Sequence, residues 1–244
     1  ASGGALGTAR YQMTGTGTQL AGLAWGGYGT PGGTSSTEEY DGASWTAGGA
    51  LTSARWQLSG QSIGTQTAAV SAGGNSPAGN YGNLCEEYNG ASWTVQNTLN
   101  TSRSYIAGFG IQTAAVAAGG STSPASGVTE EYNGTSWTTV PATLGTARYG
   151  ATGTGTDTAG LVVGQYNNGA LAEEYNGTSW TAATAIPTGK YGIFGGMGTQ
   201  TDALLAGGAI GPGTPKTAVC NTYDGTNWAT SPSLGTARGQ GGSG

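Results

Sequence analysis

The chain has 244 residues, of which 8% are charged and 36% hydrophobic, and its formal net charge is −5. With no run of Lys or Arg to track a phosphate backbone, nucleic acid is not an expected partner. No stretch approaches the roughly 18 apolar residues that cross a bilayer, so membrane insertion is not expected, and the opening ASGGALGTAR lacks the basic start and apolar core of a signal peptide. Histidine is absent, which removes the commonest general base and the commonest metal ligand together. Fifty glycines would suit a disordered chain, but seven Trp and twelve Tyr supply material for a core.

Two sets of landmarks recur along the chain. Trp45, Trp93, Trp137, Trp180 and Trp228 are spaced by 48, 44, 43 and 48 residues, and Arg10, Arg55, Arg103, Arg148, Lys190 and Arg238 by 45, 48, 45, 42 and 48. A shared period of roughly 46 residues lies in the range of propeller blades. The units run approximately 5–50, 51–98, 99–142, 143–185 and 186–232, followed by a tail at 233–244.

Each unit reads as four short strands. Unit 1 carries Trp25 where units 2, 3 and 5 have Ala72, Ala118 and Ala206, and unit 2 carries Trp56 where Tyr11 and Tyr149 stand in units 1 and 4; both are read as packing variants. Unit 3 is the clearest: LNTSRSYIAGFG, IQTAAVAAGG, VTEEYNG and TSWTTV, with Gly, Asn and Asp at the joints. No segment has the length or the i, i+3, i+4 spacing of an amphipathic helix. Its second phrase is small and apolar on both faces, as in an interior strand. The third joint is Asp41-Gly42, Asn89-Gly90, Asn133-Gly134, Asn176-Gly177 or Asp224-Gly225, pairs that tolerate the positive φ of a tight hairpin. A two-residue or a four-residue turn there puts Tyr and Trp on one face, with the second Glu of each Glu pair on the opposite face. Unit 4 replaces a double glycine by Gly164-Gln165, and unit 5 replaces Arg by Lys190 and the Glu pair by Asn221-Thr222. The tail SLGTARGQ restarts the phrase ALGTARYQ of the N-terminus; it reads as a closing strap over the first unit or as the start of a further repeat, and the strap is preferred because an open array exposes two sheet faces.

The chemical candidates are few. Cys85 and Cys220 hold equivalent places in units 2 and 5, which are not neighbours in a ring of five, so they are expected as buried, inert thiols. No His or third Cys completes a metal site, and no cofactor is expected. The pairs Glu38-Glu39, Glu86-Glu87, Glu130-Glu131 and Glu173-Glu174 hold two carboxylates each, but adjacent strand residues face opposite ways and cannot flank one glycosidic bond. They are expected as structural groups that pair with the repeated Arg residues across blades. The second joint, in contrast, differs in every unit, and variable loops on a constant frame are where recognition is carried. Tyr28, Tyr81 and Tyr166 are aromatics outside the core pattern, and Asn80, Asn167 and Asn168 add amides. Aromatic faces with amides suit the C–H faces and hydroxyl edges of sugars.

The sets Arg55, Gly73-Gly74, Tyr88, Trp93 and Arg103, Gly119-Gly120, Tyr132, Trp137 resemble the kelch repeat family: an Arg at the start of a strand, a double glycine ending the next, then a Tyr and a Trp separated by a turn. The resemblance covers essentially the whole chain. It implies an all-β, five-bladed propeller of four-stranded antiparallel blades. The repeat also resembles Gly/Thr-rich kelch-like arrays of marine viral or environmental origin, for which virion attachment fibres, an extracellular or virion-associated setting, are one context. Copper enzymes among kelch-type propellers need His ligands that this chain lacks. The expected function is therefore a non-catalytic module that recognises carbohydrate or a cell-surface receptor through its variable loops, the alternative being a structural or adhesive repeat module.

Overall fold

A computed structural model describes residues 4–58, 63–79, 82–166, 169–192, 194–210 and 215–239. Blade 1 comprises β1 (Thr14–Thr18), β2 (Ala21–Trp25), β3 (Thr37–Tyr40) and β4 (Trp45–Gly48). Blade 2 comprises β5 (Gly64–Thr65), β6 (Ala68–Ala72), β7 (Cys85–Tyr88) and β8 (Trp93–Gln96). Blade 3 follows with β9 (Ala107–Ile111), β10 (Ala114–Ala118), β11 (Val128–Tyr132) and β12 (Trp137–Thr143). Blade 4 holds β13 (Thr152–Thr156), β14 (Ala159–Gln165), β15 (Gly169–Tyr175) and β16 (Trp180–Ala183), and blade 5 holds β17 (Phe194–Gly198), β18 (Ala203–Ala206), β19 (Cys220–Tyr223) and β20 (Trp228–Ser231). Every sheet is antiparallel in sequence order. The chain is thus an all-β, five-bladed propeller, as its period predicts, and no helix in the described residues is long and apolar enough to cross a membrane.

The third joint resolves to a four-residue turn, because Tyr40, Tyr88, Tyr132, Tyr175 and Tyr223 pair directly with the motif Trp of their own units. The Asn176 side-chain oxygen accepts the N–H groups of Thr178 and Ser179 at 2.9 and 2.8 Å, an Asx arrangement. Gly177 supplies the positive φ of 87°. The Tyr175 and Trp180 rings then pack on one face, tilted by 32° with centroids 4.8 Å apart.

That face meets the preceding blade. Four apolar clusters fill the interfaces, around Trp25 and Trp93, around Val70 and Trp137, around Phe109 and Tyr175, and around Leu161 and Tyr223. Hydrogen bonds fix the register of each. Tyr132, Tyr175 and Tyr223 donate to Glu87, Glu131 and Glu174 of the preceding blade at 2.9, 2.6 and 2.9 Å, and Tyr88 donates to Glu39 likewise. Trp93 and Trp180 donate to Thr37 and Thr129, each at 2.9 Å. Gln66, Gln112 and Gln200, in the first joints, donate to backbone carbonyls of the preceding blade, such as Tyr40, Tyr88 and Tyr175 at 2.8, 2.8 and 2.9 Å.

The first Glu of each pair does a different job from the one expected. Glu38, Glu86, Glu130 and Glu173 pair with Arg10, Arg55, Arg103 and Arg148 of their own unit, not across blades. It is the second Glu that reaches across, and it does so to a tyrosine. The two glutamates face opposite ways because strand side chains alternate.

Between blades 5 and 1 these bonds are missing. Among the described residues no apolar cluster spans this seam, and Tyr40, Trp45 and Gln19 make no hydrogen bond to blade 5. Blade 5 has Thr222 where the other blades present the accepting Glu. Met197 is 49% exposed, whereas Ile63 and Phe109 at the same place on blades 2 and 3 are buried. The seam and the axial channel together form a cleft of about 790 Å³ lined by Gln19, Trp45 and Met197 among others.

Two outcomes are expected. Trp137→Ala should cost about 3–5 kcal/mol in chemical denaturation because its ring fills a sealed interface. Trp45→Ala, whose ring packs on Tyr40 of its own blade at 5.1 Å, should cost less than about 2 kcal/mol while the seam stays open as it is in this structure; a loss equal to that of Trp137→Ala would mean that the seam is closed in solution. Alkaline pH provides a second measurement. Burial first, and then the hydrogen bond to Glu, pushes Tyr88 and Tyr223 up to about 12, and Tyr132 and Tyr175 upward as well. Between about pH 10 and 12 the unfolded chain releases phenolic protons that the folded chain keeps, so stability is full below about 10 and falls as pH rises. Part of the tyrosinate absorbance should therefore appear only together with loss of the β-sheet circular dichroism signal. Titration of every phenol with that signal intact would rule this out.

Candidate ligand-binding site

Antiparallel order within the blades puts the second joints and the unit-to-unit connections at one end of the propeller. There the residue that follows the unit's Arg or Lys bridges to the residue that follows the glycine pair: Tyr11 to Tyr28, Trp56 to Asn75, Ser104 to Ser121 and Tyr191 to Ala209. In unit 4 the Tyr166 N–H donates to the Tyr149 carbonyl at 2.8 Å. The next residue, Gln12, Gln57, Tyr105, Gly150 or Gly192, takes a positive φ of 52–72° in every unit. This turn aims its N–H at the neighbouring blade. Gln57 donates to the Gln12 carbonyl, Tyr105 to Gln57, Gly150 to Tyr105 and Gly192 to Gly150, at 2.8–3.2 Å. The four bonds form a backbone rim around the channel mouth, interrupted at the seam.

Seven half-buried aromatic side chains stand on this rim. Tyr28 packs on Tyr11 at 5.5 Å and on Trp56 at 5.0 Å, making one arc. The second arc runs from Tyr105 to Tyr149 at 5.8 Å, to Tyr166 at 5.0 Å and to Tyr191 at 4.9 Å. Amides tie the arcs together across the mouth. The Tyr105 hydroxyl accepts from Gln12 at 3.1 Å and from Gln57 at 2.5 Å, and the Gln57 side-chain oxygen Oε1 accepts from Asn75 at 2.7 Å. Beside Tyr11 and Tyr28 lies a recess of about 700 Å³ that also touches Arg10, Thr30 and Arg238, a size that suits a small ligand or one branch of a larger one.

Of the residues proposed from the sequence, Tyr28 and Tyr166 lie on this collar, in different arcs. Asn80, Tyr81, Asn167 and Asn168 lie outside the described residues. The amides that do stand at the mouth are Gln12, Gln57 and Asn75. Trp56, read as a packing variant, packs on Tyr28 and so belongs to the collar, whereas Trp25 is fully buried against Trp93. The missed residues share a signal: five of the seven aromatics lie within two positions of the unit's Arg or Lys.

The ionisable groups beneath the collar are already engaged. Burial pulls the Arg103 guanidinium below its ordinary value, with the charge of Glu130 opposing, and Arg55 and Arg148 behave alike beside Glu86 and Glu173. Lys190 replaces the guanidinium in unit 5 and donates to Asn221 at 2.7 Å and to the Val219 carbonyl at 2.8 Å. Cys85 and Cys220 are free and buried, and burial pushes the Cys85 thiol up to about 12. Among the described residues, no three His, Cys, Asp or Glu side chains gather as a metal site would require.

The fold and its collar define a β-propeller with an aromatic rim. The solved structure of YjhT is similar, with a TM-score of 0.75 at 15% identity, covering 96% of this chain and 87% of that one. At that identity the likeness is one of fold. No family model matches the chain, and no curated protein does.

Tyr105→Phe should cost about 1–3 kcal/mol, because the Gln12 and Gln57 amides lose their shared acceptor. Urea denaturation measures the loss, and an unchanged midpoint would show that water replaces the hydroxyl at no cost.

Proposed function

We propose that this propeller is a non-catalytic binding module that takes carbohydrate, free or on a cell surface, at the aromatic collar. One observation carries the reading: half-buried aromatic rings and amide side chains converge on one mouth of the propeller. Aromatic faces stack on the C–H faces of sugar rings, and amides exchange hydrogen bonds with hydroxyls. The carboxylates support a non-catalytic role. The first Glu of each pair is held by Arg, and the second by the tyrosine of the next blade. A catalytic pair would need one carboxyl group free to protonate a leaving group and another free to act as base or nucleophile.

The alternative, a structural or adhesive repeat module of kelch type, draws support from how completely the repeated residues are absorbed by the interfaces. A glycan array with the native chain and with Tyr28→Ala and Tyr166→Ala variants separates the two readings. The binding reading expects retention of one or more glycans by the native chain and at least tenfold weaker binding by one variant, about 1.4 kcal/mol. No glycan bound by the native chain would leave the structural reading.

A further inference from the structure

The pentapeptide Leu-Gly-Thr-Ala-Arg occurs three times, at Leu6–Arg10, Leu144–Arg148 and Leu234–Arg238. The middle copy joins two blades. Toward blade 3, the N–H groups of Leu144 and Arg148 donate to the carbonyls of Gly127 and Ser126 at 2.9 and 3.1 Å, and the Arg148 carbonyl accepts from Gly120 at 2.9 Å. Toward blade 4, the Gly145 N–H donates to Glu173 at 2.7 Å and the Arg148 side chain pairs with Glu173 at 2.8 Å. One segment therefore holds two sheets together.

At the seam the same work is divided between the two other copies. Leu234–Arg238 binds blade 5: Leu234 donates to the Ala218 carbonyl at 2.8 Å, Arg238 to Thr217 at 3.2 Å, and Gly208 to the Arg238 carbonyl at 2.7 Å. Leu6–Arg10 binds the carboxylate of blade 1: Gly7 donates to Glu38 at 2.6 Å, and Arg10 pairs with Glu38 at 2.8 Å. Each copy lacks the other half of its contacts. A Cβ added at Gly145 or at Gly7 would meet a Glu oxygen at 3.3 Å, but one added at Gly235 would meet nothing within 4 Å. The Arg238 side chain is exposed and, among the described residues, has no carboxylate partner, yet it borders the same recess as Arg10.

We propose that the seam is a docking surface for the chain's own tail: Arg238 replaces Arg10 at Glu38, and Leu234–Arg238 then spans blades 5 and 1 as Leu144–Arg148 spans blades 3 and 4. Identical sequences make the exchange isosteric at Glu38, and covalent attachment keeps the tail at high effective concentration. Closure brings the unpaired groups of blade 1 to their places on blade 5. By equivalence with the sealed interfaces, Gln19 meets the carbonyls of Ala203 and Tyr223, and Trp45 meets Cys220. It also joins the two arcs of the collar, which end at Tyr11 and Tyr191 on opposite sides of the seam.

Thermal unfolding of Arg10→Ala, Arg238→Ala and the double variant tests the exchange. With exchange, Arg10→Ala is rescued by Arg238 and shifts the midpoint by about 2 °C or less, while the double variant, whose buried Glu38 has no cation, loses roughly 10 °C. If Arg10→Ala alone falls as far as the double variant, the exchange does not occur. Thr222→Glu gives an independent readout that leaves both arginines in place. It restores an acceptor for Tyr40 across the closed seam and should raise the midpoint by about 2 °C or more; an unchanged or lowered midpoint overturns the closure.

Discussion

The buried cation at the start of each unit is the interaction on which the rest of the propeller depends. In units 1–4 its side chain is fixed by the Glu of its own blade, and in unit 2 the Gly73 and Leu84 carbonyls each accept a hydrogen bond from Arg55 at 2.8 Å. From unit 2 onward its backbone is fixed by the preceding blade, as where Gly74 donates to the Arg103 carbonyl at 2.9 Å. Burying a guanidinium costs several kcal/mol before its partners compensate, so the group contributes more to register than to net stability. A strand shifted by one residue would leave both charges buried and unpaired.

That constraint explains the glycine pair. A Cβ at Gly26, Gly73 or Gly119 would lie 2.6 Å from the carbonyl oxygen of the next unit's Arg, well inside van der Waals contact. The pair therefore marks the place where one unit receives the start of the next. Where the second glycine becomes Gln165, the bond survives, with the Gln165 N–H donating to the Lys190 carbonyl at 3.2 Å. In unit 5, Lys190 and Asn221 change together, a neutral amide answering a smaller cation at 2.7 Å. The chemistry of the joint is preserved through both departures.

Repeated residues are consumed by repeated contacts, and the rim carries side chains that stand outside those contacts. Every unit makes the same rim turn, which carries Tyr11, Trp56, Tyr105, Tyr149 and Tyr191 from the connections, tyrosine recurring at one position in units 1, 4 and 5, and Tyr28 and Tyr166 from the second joints. The rim also shows why the seam matters beyond stability. It interrupts the backbone ring and separates the ends of the two collar arcs at Tyr11 and Tyr191, so the shape of the mouth is coupled to how blades 5 and 1 meet.

Period, punctuation and alternation determined the five units, the four strands in each, the shared face of Tyr and Trp, and the opposed faces of the two glutamates, because each follows from local geometry. Tertiary structure decided which partner each face finds. The first Glu binds the Arg of its own unit and the second binds the tyrosine of the next, since alternation separates the two residues but does not say what lies opposite. The placement of Gln12, Gln57 and Asn75 around the Tyr105 hydroxyl was equally hidden, as it joins three units separated by tens of residues. The difference between four sealed interfaces and one open seam needed both levels. Thr222 was visible in the chain as a lost Glu, but only the ring places it opposite Tyr40, the one motif tyrosine left without a carboxylate to receive its hydroxyl.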